Sequence, residues 1–302
     1  MNQNQSEYRK GVMHILLCML LWGVLPIYWK SLVPISSWVI IVYRILLVFV
    51  MAVLFALRNH TWQEIWAPLK EDRKTVKTLA IAGFIITANW STFIWAVNSG
   101  HILQSSMGYY IEPLAVCLFG IVLFHEQVTK YKLTAMVLAA VAVAVIIIHF
   151  GQIPGIALGL ALTFSVYSAI KRSITIAPEL SMIYETMWLA PFALLLAIYL
   201  EVTGKGALAA GEPYQYGLLM LCGLFTVVPL MLFASAAQKT SMFVLGLAEY
   251  ISPTLSLLVG VFIYHETLDL VQLGAFGIIW IGLVFFTYGE LKGYKTSAEE
   301  KK

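Results

Sequence analysis

Four ionisable residues stand in stretches that are otherwise apolar: Arg44, Glu112, Glu185 and Glu249. A charge at the centre of a bilayer costs about 2.5–3.5 kcal/mol on insertion scales, so such a group faces a protein interior or a wet cavity. Two of the acids stand beside prolines: Glu112 precedes Pro113, and Glu249 lies four residues before Pro253. A proline removes one helical hydrogen bond and clashes with the carbonyl four residues back, here that of Tyr109 or Glu249. Freed backbone at membrane depth is tolerated only against protein or water, so both carboxyls are expected to look into a cavity. Asn89 and Asn98 add hydrogen-bonding groups. Trp22, Trp90, Trp95, Tyr109, Tyr110 and Tyr250 supply either aromatic walls or ordinary packing. One positive and three negative charges cannot all ionise cheaply in one low-dielectric space. The pattern therefore points to a protonatable glutamate, or to a cavity for cationic or zwitterionic solutes. Two bland readings stay open. Arg44 either pairs with one of the acids or meets a solute directly, and Glu112 and Glu249 also read as neutral, hydrogen-bonded links between helices. Glu185, near the start of its apolar stretch, lies closer to the interface.

The elements that must hold these residues are helices in a membrane. Of 302 residues, 60% are hydrophobic and 12% charged, where a soluble domain carries about 25% charged residues. Runs of about 20 apolar residues span a bilayer, and ten candidates occur: 11–29, 37–57, 78–98, 102–124, 131–149, 153–170, 180–200, 216–238, 242–264 and 270–289. The expected fold class is all-α, a polytopic membrane protein of ten transmembrane helices. Cytoplasmic loops collect Lys and Arg. With residues 1–10 inside, sixteen of the nineteen basic residues fall on that side, Lys171 and Arg172 among them. Lys30 and Lys205 fall outside, and Arg44 lies within a span. Both termini, 1–10 and 290–302, are thus expected in the cytoplasm, the latter as a disordered tail. Residues 58–77, with Trp62 and Trp66 four apart, read as a short interfacial helix or as an irregular loop with two belt tryptophans.

One stretch is written twice. Residues 108–126, GYYIEPLAVCLFGIVLFHE, and 248–266, AEYISPTLSLLVGVFIYHE, agree at seven of nineteen positions. Tyr43-Arg44 likewise lies opposite Tyr184-Glu185, at an offset of 141. Each half, 11–149 and 153–289, holds five spans. Five is odd, so the second half is expected upside down: Lys130 and Lys132 follow the first copy, while the matching Leu270 and Gln272 are neutral. Inverted repeats are the mark of secondary transporters, with the site near the midplane between the halves. His125-Glu126 and His265-Glu266 end the repeated helices. There the Glu either caps the following helix or closes a gate.

The stretches LLWGVLPIYWK (20–30), VYRILLVF (42–49), NWSTFIWAVNSGHILQSSMGYYIEPL (89–114) and PLMLFASAAQKTSMFVLGLAEYISPTLSLLVGVFIYHE (229–266) resemble the RarD-type permeases. These belong to the EamA group of the drug/metabolite transporter superfamily. The likeness runs over nearly the whole chain. It implies ten helices in two inverted five-helix repeats in the bacterial inner membrane, and export or exchange of small metabolites, amino-acid-like compounds or drugs. Arg44, Asn89, Trp90, Trp95, Asn98, Tyr110, Pro113, Tyr250 and Pro253 match the family pattern. Three positions depart from it: Tyr43 stands where a His is usual, Glu112 where an Asn is common, and Glu249 where a Gln is common. The two amide-to-acid changes favour a more cationic solute, or a proton site absent from relatives.

Other function classes find less support. HEQVT and HETLD lack the second histidine of H-E-x-x-H, and no G-x-S-x-G elbow or Gly-rich phosphate loop occurs, so an enzyme is disfavoured. A lipid flippase would use the same fold with a laterally open groove and remains the narrower alternative. Cys18, Cys117 and Cys222 lie in separate apolar stretches without CxxC spacing and read as small buried hydrophobes rather than metal ligands. No cofactor or metal is expected, and no basic surface for nucleic acid. The expected partners are a small-molecule solute, the lipid bilayer and protons. Gly155, Gly159 and the Ala-rich 139–144 permit close helix packing, within one bundle or between two.

Overall fold

The structure, a computed structural model, describes residues 3–99, 101–151, 155–265 and 270–299. It is helical throughout these segments: α1 Gln3–Ser31, α2 Ser37–Ala56, α3 Trp62–Trp66, α4 Pro68–Glu71, α5 Arg73–Asn98, α6 Ile102–Phe124, α7 Lys130–Phe150, α8 Gly155–Ser173, α9 Pro178–Thr186, α10 Ala190–Val202, α11 Ala207–Ala210, α12 Pro213–Met220, α13 Cys222–Lys239, α14 Met242–Glu249, α15 Ile251–Tyr264 and α16 Leu270–Glu299. In lipid a helix satisfies its backbone internally, which suits long, continuously apolar stretches such as these.

Among the described residues, eight helical stretches are long and apolar enough to cross a membrane. A ninth is the pair α9 and α10, bent by 58°. Pro191 lies at the start of α10 and denies its own N–H to the carbonyl of Met187, so the bend falls between them. The expected tenth span, α8, is not among these, because Lys171 and Arg172 at its end dilute its apolar character. The expectation of a disordered tail after Glu290 is also corrected. α16 runs on to Glu299 through a stretch without proline. The 58–77 segment forms two short helices. Thr61 and Glu64 make a reciprocal capping box on α3, with the Thr61 N–H donating to Glu64 Oε2 at 2.7 Å. That bond holds the Glu64 carboxyl below the usual carboxylate range. Trp62 stays exposed, its ring edge-on to Trp66 at 5.4 Å.

The bundle is held by a small set of crossings. α6 lies on α8, α7 on α16, and α1 against both α13 and α15. α14 packs on α6, α2 on α9 and α13, and α5 on α8 and α9. Two of these crossings need glycine. A Cβ at Gly83 would meet the Glu185 carbonyl of α9, and one at Gly223 would meet the Leu47 carbonyl of α2. The largest buried side chains, Tyr167, Tyr184, Phe233 and Tyr250, sit where these helices converge.

The crossings make a prediction. Gly83→Ala drives a methyl into backbone that cannot yield, and overpacking of this kind costs about 1–3 kcal/mol. Gly217, with nothing within 4 Å of its would-be Cβ, is the matched control. Thermal melts in detergent are expected to show a clear loss for Gly83→Ala and little or no loss for Gly217→Ala.

Candidate functional site

A cavity of about 760 Å³ opens between α1, α2, α5, α6, α8, α15 and the α14–α15 junction. Its lining comes from one half of the bundle's depth. α1 contributes residues between Met19 and Lys30, α2 those between Ser37 and Arg44, α5 those between Ile86 and Ile94. The cavity therefore reaches toward the α1–α2 turn and stops short of the end that carries the N-terminus.

At its acidic side the cavity is lined by Glu112 and Glu249, with Pro113 and Pro253 beside them. Proline chemistry positions both acids. Pro253 cannot donate to the Glu249 carbonyl, α14 ends at Glu249, and the helix resumes at Ile251. One residue beyond Pro253, Thr254 donates both its N–H and its Oγ1–H to the Tyr250 carbonyl, the latter at 2.7 Å. Glu249 is only 4% exposed, yet neither carboxylate oxygen has a hydrogen-bond partner. A buried polar group without a partner ordinarily costs about 1–3 kcal/mol and more when charged, so this one is in want of a ligand or a proton. Among the described residues Glu112 has no hydrogen-bond or ion-pair partner, and it lines the same cavity as Glu249.

The basic side is built from Arg44 and aromatic rings. The Arg44 guanidinium lies 3.7 Å from the Trp90 ring centre and 5.4 Å from that of Trp29. Its Nε is buried without a partner. The expected alternative of an Arg44–Glu ion pair does not occur; the cation rests on ring faces instead, an attraction of about 0.5–2 kcal/mol. Tyr109 also lines the cavity, its ring 5.6 Å from that of Phe93. Lys30 also lines the cavity, its Nζ 3.4 Å above the Tyr264 ring.

Asn89 lines the cavity and ties α5 to α8, with Nδ2 donating to the Leu160 carbonyl and to Thr163 Oγ1, both at 2.8 Å. Tyr110 lines it with its ring 5.1 Å from Phe276. Tyr250 is fully buried behind it and donates its hydroxyl to the Tyr110 carbonyl at 3.0 Å, joining the two copies of the repeated stretch.

Several expected site residues lie elsewhere. Trp95 is 48% exposed and stacks on His101 at 5.7 Å, because it sits near the end of α5 and points away from the bundle axis. Glu185 is buried in a separate cluster. Its Oε1 takes Lys171 Nζ in a short ion pair and Ser181 Oγ at 2.9 Å, while Oε2 accepts from the Tyr167 hydroxyl at 3.1 Å. Lys171, counted in the sequence as a cytoplasmic loop charge, is therefore a core residue at 1% exposure. The Asn98 side chain and Glu266 lie outside the described residues. His125 and His265 close α6 and α15 in the left-handed region, at φ 51° and 53°. Glu126 does cap a helix, but not the one that follows it. Thr129 caps α7, while Glu126 accepts the Met242 and Phe243 N–H groups of α14 at 2.7 and 3.0 Å.

Lys30, Trp29 and the Lys171 cluster escaped sequence reasoning because each stands near a span end, where charge and aromatic residues look interfacial. One signal was available: Lys30 and Lys171 are related by the same offset of 141 that relates Arg44 to Glu185.

The sequence model of the EamA-like transporter family matches the chain twice, over residues 9–148 and 153–288. Among relatives, the transporter YojE of Bacillus subtilis is 35% identical over 97% of this chain and 98% of its own length. Protein RarD of Escherichia coli is 33% identical, covering 93% and 95%. The chloramphenicol-sensitive protein RarD of Pseudomonas aeruginosa is 25% identical, covering 91% and 92%. A protein of known crystal structure superposes with a TM-score of 0.70 at 16% identity, over 91% of this chain and 96% of that one, a likeness of fold alone.

Glu126→Ala leaves the first two N–H groups of α14 without their charged acceptor. The expected cost is about 1–3 kcal/mol, read as a lower melting temperature, with Glu126→Gln intermediate because it keeps one acceptor oxygen. Unchanged melting in Glu126→Ala would remove this cap from the forces that position Glu249.

Proposed function

The chain belongs to the EamA-like transporter family, and from that premise we propose what this transporter carries and how. Family membership makes it a multi-pass membrane transporter of small molecules. In our reading the solute is dipolar: an amino-acid-like compound, metabolite or drug that bears an amine and an anionic group. It crosses the bacterial inner membrane by alternating access, in exchange with protons.

The observation that carries this reading is a pair of opposite charges left unpaired in one cavity. Arg44 on one side and Glu112 and Glu249 on the other share about 760 Å³, yet among the described residues none of them is in an ion pair. Two such charges in contact at an effective dielectric of 20 would gain about 4 kcal/mol. The fold keeps Arg44 from gaining this with an ionised Glu112 or Glu249, and a solute carrying both charges satisfies both ends at once. Trp22, Trp90 and Tyr109 offer the apolar body of that solute its walls. With two carboxyls close together, an amine that enters takes the place of a proton, and this couples solute to proton.

Alternating access in turn rests on two inverted halves, 11–149 and 153–289, each of five spans, with α8 as the first span of the second half. Support comes from the main helix crossings, which map onto one another under exchange of the halves. The α6–α8 contact is answered by α15–α1, α5–α8 by α13–α1, and α2–α13 by α9–α5; α7–α16, α6–α14 and α2–α9 answer themselves. The close-crossing Gly83 and Gly223, and the left-handed His125 and His265, are each 140 apart. Tyr43 and Tyr184, 141 apart, each hold the short helix that follows the other's span: Tyr43 holds α11 through Glu201, which accepts from the N–H groups of Ala207 and Leu208, and Tyr184 holds α3 by donating to the Ile65 carbonyl. The basic loops favour both termini in the cytoplasm.

A thermal-melt screen at two pH values, against amino acids, polyamines, amphipathic cations and phenicols, tests the reading. A solute at 100 times its Kd adds about 2.7 kcal/mol. The expected result is a shift for zwitterions that is lost in Arg44→Gln and in Glu249→Gln. A shift that survives both variants, or none for any compound, contradicts it.

A further inference from the structure

Below the cavity, toward the N-terminal end of the bundle, lies a buried charged cluster that the solute site does not use. Lys171 on α8 and Glu185 on α9 are 1% and 2% exposed and form an ion pair. Ser181 stands between them, taking a hydrogen bond from Lys171 Nζ at 2.6 Å and giving one to Glu185 at 2.9 Å. The Tyr167 hydroxyl holds the other Glu185 oxygen. A stack of rings joins this cluster to the cavity floor. Tyr167 lies 5.9 Å from Phe164 and 6.2 Å from Phe233, and Trp22 lies 6.1 and 5.7 Å from the same two rings. Trp22 and Phe164 are themselves cavity residues. The closed end is therefore an aromatic plug on α1, α8 and α13, clasped from beneath by one ion pair.

The same three positions recur in the first half. Lys30, Tyr43 and Arg44 precede Lys171, Tyr184 and Glu185 by 141 residues each. There the partner of the lysine is a cation rather than an acid. Lys30 lies over the Tyr264 ring, Arg44 over Trp90, and both face the cavity. Both side chains are cations, so these two positions form no ion-pair clasp with each other.

We propose that Lys171–Glu185 is the lock that closes one end of the carrier, and that Arg44, at the position equivalent to Glu185, holds the opposite end open as the solute's anion-recognising group. One charge reversal divides a duplicated position into a lock and a receptor. This rests on the inverted-repeat reading above. A purely stabilising role explains less. Replacing a buried ion pair by well-packed apolar residues is often neutral or favourable for stability, and an ion pair that must break and re-form suits a two-state element better.

The test reads access from each side. Cys18, Cys117 and Cys222 are replaced by Ala, and Ser252→Cys places one thiol on the cavity wall. A membrane-impermeant maleimide is applied to vesicles of both orientations. In the parent, labelling from the α1–α2-turn face is expected to exceed labelling from the N-terminal face at least fivefold. Glu185→Gln is expected to raise labelling from the N-terminal face at least fivefold, and the swap Lys171→Glu/Glu185→Lys to restore the parent ratio. Arg44→Glu, which offers Lys30 an acid, is expected to slow labelling from the α1–α2-turn face. If Glu185→Gln folds and leaves both rates unchanged, or if it fails to fold while the swap labels equally from both faces, the lock is overturned. Equal labelling of the parent from both faces would overturn the one-ended cavity as well, whereas loss of the lock alone leaves the solute reading standing.

Discussion

Every buried charge in this bundle must find a partner or face a cavity, because the surrounding lipid can solvate neither backbone nor ions. The chain uses both solutions. Lys171 and Glu185 meet each other, supported by Ser181 and Tyr167. Arg44, Glu112 and Glu249 meet no counter-ion and line the same open volume instead. The helix breaks follow from the same constraint. Pro113 and Pro253 disturb the backbone where it borders the cavity, and Glu126 supplies charge where the first turn of α14 needs an acceptor.

Duplication makes that constraint productive. Two copies of one five-helix pattern supply equivalent positions, and substitution at single positions makes them differ. The Tyr hydroxyls of Tyr43 and Tyr184 keep one role in both halves, each anchoring the short helix that follows the other half's equivalent span. His125 and His265 likewise keep one geometry. Arg44 and Glu185 do not: one faces the solute volume, the other a lysine. Glu112 and Glu249 are not equivalent to each other either. Their counterparts at an offset of 140 are Ser252 and Tyr109, and all four line the cavity.

Much of this was legible in the sequence. Hydrophobic length placed the spans well; the 102–124 stretch is α6, and 242–264 is α14 with α15. The prolines beside acids pointed to Glu112 and Glu249 because lipid penalises both features together. What stayed hidden depended on side-chain direction. Trp95 shares α5 with cavity residues, yet the helix turns it outward, and Glu185 lies on α9, which turns it toward Lys171 of α8. Lys171 looked like a loop charge because composition cannot show that an acid fourteen residues on folds back against it. Glu126 has the same difficulty in larger form, since its acceptor role spans 116 residues of sequence. The α8 span fell short of the others for a readable reason, the basic pair at its end, whose buried half is visible only in three dimensions.

The central claim is that Arg44 and Glu249 read opposite ends of one solute. The most direct measurement crosses protein charges with solute charges in a double-mutant cycle. Binding of a zwitterion, its methyl ester and its N-acetyl derivative would be titrated against the parent, Arg44→Gln and Glu249→Gln. The claim predicts that the ester binds parent and Arg44→Gln alike, and that the N-acetyl form binds parent and Glu249→Gln alike. Each lost interaction is then accounted for once. Equal, additive losses across all nine combinations would contradict it and separate the two charges of the cavity from the solute it carries.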